Sequence, residues 1–155
     1  MLFRIRRTWQ YLDTVMGMIF RHPLLGVSII PLLPDGEIVL IKRRDTGKWA
    51  IPGGFVNWGE DLPTSASREL EEETGLKMVK INRLVGIYSA PNRDPRVHSI
   101  CVVIVADVQG QIAIQDTLEV DEVKAFSVAD LPLDDFSFDH GQHMQDYLTG
   151  VTIVA

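Results

Sequence analysis

The sequence predicts an α+β fold in which a mixed sheet carries helices on its faces. Apolar segments of strand length alternate with a few amphipathic segments, and short turns join several of them. The turn at 34–36, with the letters PDG, favours a hairpin between strands at 25–33 and 37–43. A helix over 62–74 is the best-defined element, because acidic residues precede it and a glycine follows it.

The remaining elements follow from the same patterns. We expect a single domain, because 155 residues suit one core. Proline and glycine in the letters IPGG, after a short apolar strand, predict a glycine-rich loop at 51–54. Further strands are predicted at 49–51, 77–88 (as one strand or two), 99–108 and 120–127, with a turn or helix start at 128–131 and a final helix at 138–148.

Residues 1–22 are basic and partly apolar, and we separate them as an amphipathic helical extension from a domain at 23–155. The helix is expected to pack on its own domain or on a second copy; peripheral membrane binding is the less favoured alternative. Asp13 and Arg21 interrupt the apolar part, which argues against a signal peptide. Its apolar positions are Leu2, Ile5, Trp9, Leu12, Val15, Met16 and Ile19.

Charge and cysteine content exclude some classes of protein. The formal net charge is −6, so binding to polyanionic nucleic acid is not expected. The single cysteine, Cys101, lies in an apolar run and is predicted to be a buried thiol. No segment approaches the ~20 apolar residues of a membrane span. These features suit a reducing cytoplasm.

Four glutamates crowd into residues 69–73. On the predicted helix Glu69, Glu72 and Glu73 stand at i, i+3 and i+4 and share one face, whereas Glu71 points elsewhere. Like charges held this close destabilise a helix, and a divalent cation would compensate them. Hard carboxylate oxygens favour Mg²⁺, with Mn²⁺ as the alternative.

The stretch from 54 to 76 resembles the Nudix box: Gly, five residues, Glu, seven residues, then Arg-Glu-aliphatic-x-Glu-Glu-x-Gly-aliphatic. The resemblance covers roughly residues 24–149 and implies the Nudix fold. That fold is an α/β/α sandwich with a mixed central sheet, in which the box forms a loop–helix–loop. All nine specified positions are filled, by Gly54, Glu60, Arg68, Glu69, Leu70, Glu72, Glu73, Gly75 and Leu76.

The resemblance also implies the chemistry, which is hydrolysis of a nucleoside diphosphate linked to another moiety. It assigns Mg²⁺ binding to Glu69, Glu72, Glu73 and the Gly54 carbonyl. Glu69 and Glu73 are also candidates to orient the attacking water. Arg68 is expected to pair with a carboxylate and fix its orientation.

Many family members take a general base from a loop outside the box. The acidic stretch at 117–124 offers candidates. Glu122 is the first choice, because it comes just before a predicted strand, and Glu119 is the second. For either residue, an exposed loop acid without catalytic function is the alternative.

The segment 88–98 bears on the substrate. It resembles the S-x-P-x-R-D-P-R-x-H stretch of Nudix ADP-ribose pyrophosphatases, which implies hydrolysis of ADP-ribose to AMP and ribose 5-phosphate. A stiff surface loop with salt-bridged arginines is the alternative. The residues expected to contact substrate are Arg44, Ser89, Pro91, Arg93 and Arg96.

Other functions within the family stay open. The substrate could be FAD, NADH, another sugar nucleotide, a dinucleoside polyphosphate or a damaged nucleoside triphosphate. A non-catalytic ADP-ribose sensor is a further alternative; such sensors usually carry a DNA-binding extension, and we expect none here. By analogy with the ADP-ribose enzymes, a homodimer is possible.

Overall fold

The computed structural model describes residues 11–17 and 22–155, which hold a mixed sheet and helices on both of its faces. The helices are α1 (residues 11–17), α2 (Leu62–Thr74) and α3 (His140–Thr149), with a 3₁₀ turn at Val128–Asp130. The strands are β1 (Leu24–Leu32), β2 (Ile38–Arg43), β3 (Trp49–Ala50), β4 (Gly53–Phe55), β5 (Lys77–Tyr88), β6 (Ser99–Gln109), β7 (Val120–Phe126) and β8 (Ile153–Val154).

The strand order is β3-β2-β1-β6-β5-β8, with β4 paired to β1 and β7 paired to β2. The β1–β6 and β5–β8 pairs are parallel, and the other pairs are antiparallel. Strand β1 is therefore central: β6 lies along one edge, and β4 and β2 share the other. This is the predicted mixed sheet, including the hairpin of β1 and β2.

The core lies on both faces of the sheet because the side chains of β1 alternate between them. Val27 and Ile29 face α2 and pack in the cluster that contains Ala66. Ile30 faces the other way and belongs to the cluster that contains Met144 of α3. The sheet is thus sandwiched between helices, as the α+β fold prediction required.

Two segments differ from the sequence prediction. The glycine segment is strand β4 rather than a loop, because its backbone pairs with β1, Val27 opposite Gly54. A Cβ atom at Gly53 would collide with the Val27 carbonyl, so the close approach requires glycine. Strand β8 was not predicted; its two residues pair with β5, Gly86 opposite Ile153.

The N-terminal extension is described only in part. Residues 11–17 are helical, and the other positions of the helix predicted at 1–22, except His22, lie outside the described residues. Leu12, Val15 and Met16 are about half exposed, at 52%, 45% and 51%. The described part of the predicted apolar face is therefore only partly covered within the described residues. Within the described residues, no helix is both long and apolar enough to cross a membrane.

Candidate active site

Local capping fixes the ends of α2. The Asp61 side chain accepts from the Thr64 amide at 2.9 Å, and Pro63 occupies the first turn. At the other end Gly75 adopts a left-handed conformation, φ 74°, and donates its amide to the Glu71 carbonyl. The helix therefore has the predicted bounds. Its helical spacing places Glu69 and Glu73 against β4.

Glu73 is the most buried of these glutamates, with 2% of its surface exposed. Its carboxylate accepts the Gly53 amide at 2.8 Å. Burial, together with the nearby Glu69 charge, raises the pKa of Glu73 to about 8. A buried carboxyl that is neutral near pH 7 would release a proton if a cation bound there.

Glu69 lies against Gly54, where a Cβ atom would collide with its carboxylate. The glycine therefore gives the carboxylate room beside the β4 backbone. Burial raises the pKa of Glu69, and the adjacent Arg68 opposes that effect. Glu72 is more exposed than Glu69 and shares the cavity with it.

Arg68 ties several acidic residues together. Its Nε and Nη2 donate to both oxygens of Glu60, at 2.8 and 2.9 Å, as a bidentate fork. This guanidinium lowers the pKa of Glu60 to about 2. Its Nη1 donates to Glu69 at 2.7 Å and to Glu72 at 3.3 Å. One cation thus contacts three carboxylates, so the cluster retains excess negative charge.

Three glutamates of α2, Glu69, Glu72 and Glu73, line a cavity of about 400 Å³. The acidic wall belongs to α2, and the opposite wall comes from β6 and from the segment that leads into α3. Residues that line the cavity include Glu69, Glu72, Glu73, Gly54, Asp116, Glu119, Arg93, Arg96, Asp139 and His140. The four predicted metal ligands are therefore brought to one concave surface, whereas Glu60 and Arg68 fall outside the cavity-lining set of the described residues.

The segment after β6 adds two acids to the acidic wall. The amides of Gln115 and Asp116 donate to the Glu72 carbonyl, at 3.1 and 2.8 Å, which docks this segment on the end of α2. The Asp116 side chain accepts the Leu118 and Glu119 amides and so forms a tight turn. Asp116 was not predicted as a site residue, and the only sequence signal for it is its turn-forming type.

The two candidate bases lie in different places. Glu119 lines the cavity, at the turn before β7. Glu122 lies within β7, exposed and opposite Lys42 in the sheet register, and the cavity-lining set drawn from the described residues does not include it. The strand ladder fixes Glu122 away from the acidic cluster, so geometry favours the second choice of the sequence analysis.

Arg93 is held within the cavity wall. Its side chain is 8% exposed and donates to both oxygens of Asp139, at 2.8 and 3.0 Å. Its remaining nitrogen donates to the Ser99 hydroxyl at 2.7 Å. The guanidinium that was expected to contact substrate is therefore occupied by Asp139 and Ser99.

The other residues expected to contact substrate are also engaged or peripheral. Arg96 pairs with Asp94 at 2.8 Å and lies over the Phe138 ring, 4.4 Å from its centroid. Arg44 pairs with Asp121 at 2.7 Å, beside a shallower depression next to the main cavity. Among the described residues, the cavity lining does not include Ser89 or Pro91. The Ser89 hydroxyl donates to the Ala155 carbonyl, and Pro91 is exposed.

Asp139, His140 and His143 bring three metal-type ligand atoms within 4.8 Å of one another. Part of this set is already engaged, because Arg93 and His143 Nε2 contact the Asp139 carboxylate and the Ile51 amide donates to His140 Nδ1 at 2.9 Å. Among the described residues, Nδ1 of His143 is enclosed and has no partner. A guanidinium in contact with the carboxylate also repels a cation. The carboxylates of α2 carry hard oxygens and excess negative charge, which suit a divalent cation better than this set.

The fold and site can now be compared with known proteins. Residues 22–147 match the NUDIX domain. An ADP-ribose pyrophosphatase of Methanocaldococcus jannaschii is 39% identical over 134 residues, which cover 84% of this chain and 76% of that protein. A putative 8-oxo-dGTP diphosphatase of Bacillus subtilis is 32% identical over 108 residues, 70% of this chain and 69% of that protein.

A solved structure shows the same architecture. The NUDIX domain of Shewanella oneidensis NrtR, complexed with ADP ribose, has a TM-score of 0.75 and 26% identity, and the match covers 91% of this chain and 96% of that one. The chain therefore belongs to the Nudix family. It is an enzyme of the Nudix hydrolase type, and it resembles the ADP-ribose pyrophosphatases of that family.

Proposed function

We propose that the protein is a Mg²⁺-dependent hydrolase that converts ADP-ribose and water to AMP and ribose 5-phosphate. The observation that carries this proposal is the acidic face of α2 at a cavity large enough for a nucleotide, with carboxylates in excess over cations. The substrate assignment draws support from the Methanocaldococcus relative and from the ADP-ribose complex of the NrtR domain.

Substrate charge makes a cation necessary. The diphosphate is anionic and would be repelled by the acidic wall unless a bound cation reversed the local charge. Glu69, Glu72 and Glu73, with the Gly54 carbonyl, are the proposed ligands. Mg²⁺ bound there would polarise the phosphate oxygens and orient the diphosphate. Arg68 would hold Glu69 and Glu72 in place through its contacts.

The reaction needs a group that takes a proton from water. The water oxygen forms a bond to one phosphorus, the bridging P–O bond breaks, and the leaving phosphate keeps the electron pair. We propose that Glu119 accepts the proton, because it lies on the acidic wall of the cavity. Glu69 and Glu73 remain candidates to orient the water, and Glu122 is the alternative base.

The two loop candidates form a matched pair of variants. Glu119→Gln is expected to lower kcat for ADP-ribose by ~100-fold with KM little changed, because general-base assistance acts in the transition state. Glu122→Gln should stay near the wild-type rate. A loss of kcat confined to Glu122→Gln would assign the general base to Glu122, the first choice of the sequence analysis. No loss in either variant would mean that a residue of the Nudix box acts as the base.

The substrate is tested by a panel assayed with Mg²⁺ and after EDTA treatment: ADP-ribose, FAD, NADH, a dinucleoside polyphosphate and 8-oxo-dGTP. The expected result is the highest kcat/KM for ADP-ribose and no turnover in EDTA. Product analysis in ¹⁸O-water identifies the attacked phosphorus by the product that carries the label. Preference for 8-oxo-dGTP would replace the substrate assignment and would favour a function like that named for the Bacillus relative.

ADP-ribose binding without hydrolysis is the second candidate function, favoured by the likeness to the NrtR domain. Calorimetric titration with ADP-ribose, run beside the turnover assay, separates the two functions. Tight binding with no product would establish the sensor function and exclude the hydrolase.

A further inference from the structure

His140 lies in the cavity wall opposite the acidic face and belongs to no motif of the sequence analysis. It is the first residue of α3, and the chain turns sharply just before it, with Phe138 at φ 52°. This left-handed conformation is uncommon for a residue with a bulky side chain. It helps to set the direction in which the following residues leave the turn and enter the wall.

One hydrogen bond fixes the tautomer of His140. The Ile51 amide donates to Nδ1 at 2.9 Å, so Nδ1 must carry a lone pair and Nε2 must carry the proton of the neutral ring. Burial lowers the pKa of His140 to about 3, which agrees with a ring that stays neutral. His140 is therefore an acceptor on one side and an uncharged donor on the other.

The donor side opens onto the cavity. In the described part of the chain, Nε2 of His140 has no hydrogen-bond partner. It is also not fully enclosed, because the one fully enclosed side-chain nitrogen or oxygen without a partner in that part is Nδ1 of His143. The residue lines the cavity. An unpaired N–H held on a rigid helix is a ready hydrogen-bond donor to a ligand oxygen.

The charges nearby define what this donor can bind. Asp139 and Arg93 neutralise each other, so this part of the wall presents an uncharged donor beside a closed ion pair. Such a surface suits an oxygen acceptor. A bound nucleotide offers oxygen acceptors in its phosphates and sugar hydroxyls.

We propose that His140 is a substrate-binding residue, whose Nε2–H donates to a phosphate or sugar oxygen of the nucleotide while its Nδ1 holds the backbone at Ile51. The proposal rests on the proposed function only in requiring that a nucleotide occupy the cavity. The Nδ1 contact adds a positioning role, because Ile51 leads into Gly53, whose amide contacts Glu73. His140 thus connects α3 to the acidic wall through the backbone.

Two substitutions separate the two nitrogens. In His140→Asn the short amide can place its oxygen near the Nδ1 position and accept the Ile51 amide, but nothing reaches the Nε2 position. In His140→Gln the longer amide can donate near the Nε2 position and leaves the Ile51 amide unpaired. His22→Asn, at an exposed histidine outside the cavity, is the control for the substitution itself.

We expect His140→Asn to raise KM for ADP-ribose by about 5- to 10-fold, the effect of one lost hydrogen bond, with Tm and Mg²⁺ affinity near wild type. His140→Gln should lower Tm and Mg²⁺ affinity and change KM less. Both variants are assayed well below their Tm, so a loss of stability does not obscure the comparison. The control should match wild type in every measurement.

Two outcomes would overturn the proposal: an unchanged KM in His140→Asn, or equal rises of KM in both variants together with equal falls in Tm. Failure of the proposed function would be recognised by a different result, because the wild-type protein would then prefer another nucleotide over ADP-ribose. The same variants are then compared on that preferred nucleotide. The KM pattern between the Asn and Gln variants still decides the role of His140.

Discussion

The two walls of the cavity both carry many charged residues, but they differ in how the charges are paired. On the α2 wall, Arg68 is shared among three carboxylates, and the buried Glu73 has a backbone amide as its hydrogen-bond donor. On the opposite wall, Arg93 and Arg96 each have a close carboxylate partner. Unpaired buried charge is costly without a ligand, whereas paired charge is stable by itself. The difference supports the proposal that the α2 wall binds a cation, and it predicts that the arginines opposite it act mainly on stability.

The largest effect is expected on the wall with excess charge. Glu73→Gln should lower kcat by at least ~100-fold, because it removes a proposed cation ligand. Glu71→Gln is the matched control, since Glu71 is exposed on the same helix and does not line the cavity among the described residues. Steady-state rates at saturating Mg²⁺ test the pair. Equal losses in both variants would mean that the shared helix face has no special role.

The opposite wall should respond in stability rather than in chemistry. Arg93→Ala leaves the Asp139 carboxylate with only His143 Nε2 as a side-chain partner and is expected to lower the free energy of unfolding by about 2 kcal/mol. Arg96→Ala, at a half-exposed ion pair, should cost less than about 1 kcal/mol. Urea denaturation measures both variants. A stable Arg93→Ala protein with a large rise in KM would show instead that this arginine binds substrate directly.

Arg68 tests whether geometry matters beyond charge. Arg68→Lys keeps the positive charge but loses the planar guanidinium that donates to both Glu60 and Glu69. We therefore expect kcat to fall by roughly 10-fold. The wild-type and Lys enzymes are compared at several Mg²⁺ concentrations. Wild-type rates in the Lys variant at every concentration would reduce Arg68 to a simple counter-charge.

The smallest effect concerns pH. The folded-state pKa of Glu73 is raised to about 8, so the metal-free protein holds a proton there that a bound cation must displace. Mg²⁺ affinity should therefore rise with pH, by about 5-fold between pH 7 and 8, and level off above that range. Calorimetric titrations in buffers of different ionisation enthalpy count the released proton. Glu73→Gln should remove this pH dependence, and an equally steep dependence in that variant would assign the proton to another group.

Features that depend on nearby residues were predictable from sequence. The bounds of α2 follow from its caps, and the glutamate face follows from helical spacing, so both could be read from a short stretch. The buried thiol of Cys101 was likewise predictable from the apolar residues around it, and the structure confirms it.

Features that depend on distant partners were not predictable. Arg93 pairs with Asp139, 46 positions away, and nothing in the segment around Arg93 indicates that its fork is occupied. His140 is defined by a backbone amide on another element, and backbone groups leave no trace in a sequence motif. Strand β4 depends on pairing with β1, which overrides the usual association of glycine with loops.

The segment at 113–116 has a consequence for how the domain opens. Its amides at Ala113, Gln115 and Asp116 donate to the carbonyls of Thr74 and Glu72 in the last turn of α2. Helix ends usually fray, and the exchange of their amide hydrogens with solvent is then fast. Here the last turn of α2 can unfold only when the segment at 113–116 opens with it. The amide hydrogens of both should therefore exchange with solvent at a common slow rate. The carboxylates at this end of α2 thus belong to one cooperative unit that contains residues far from the helix in sequence.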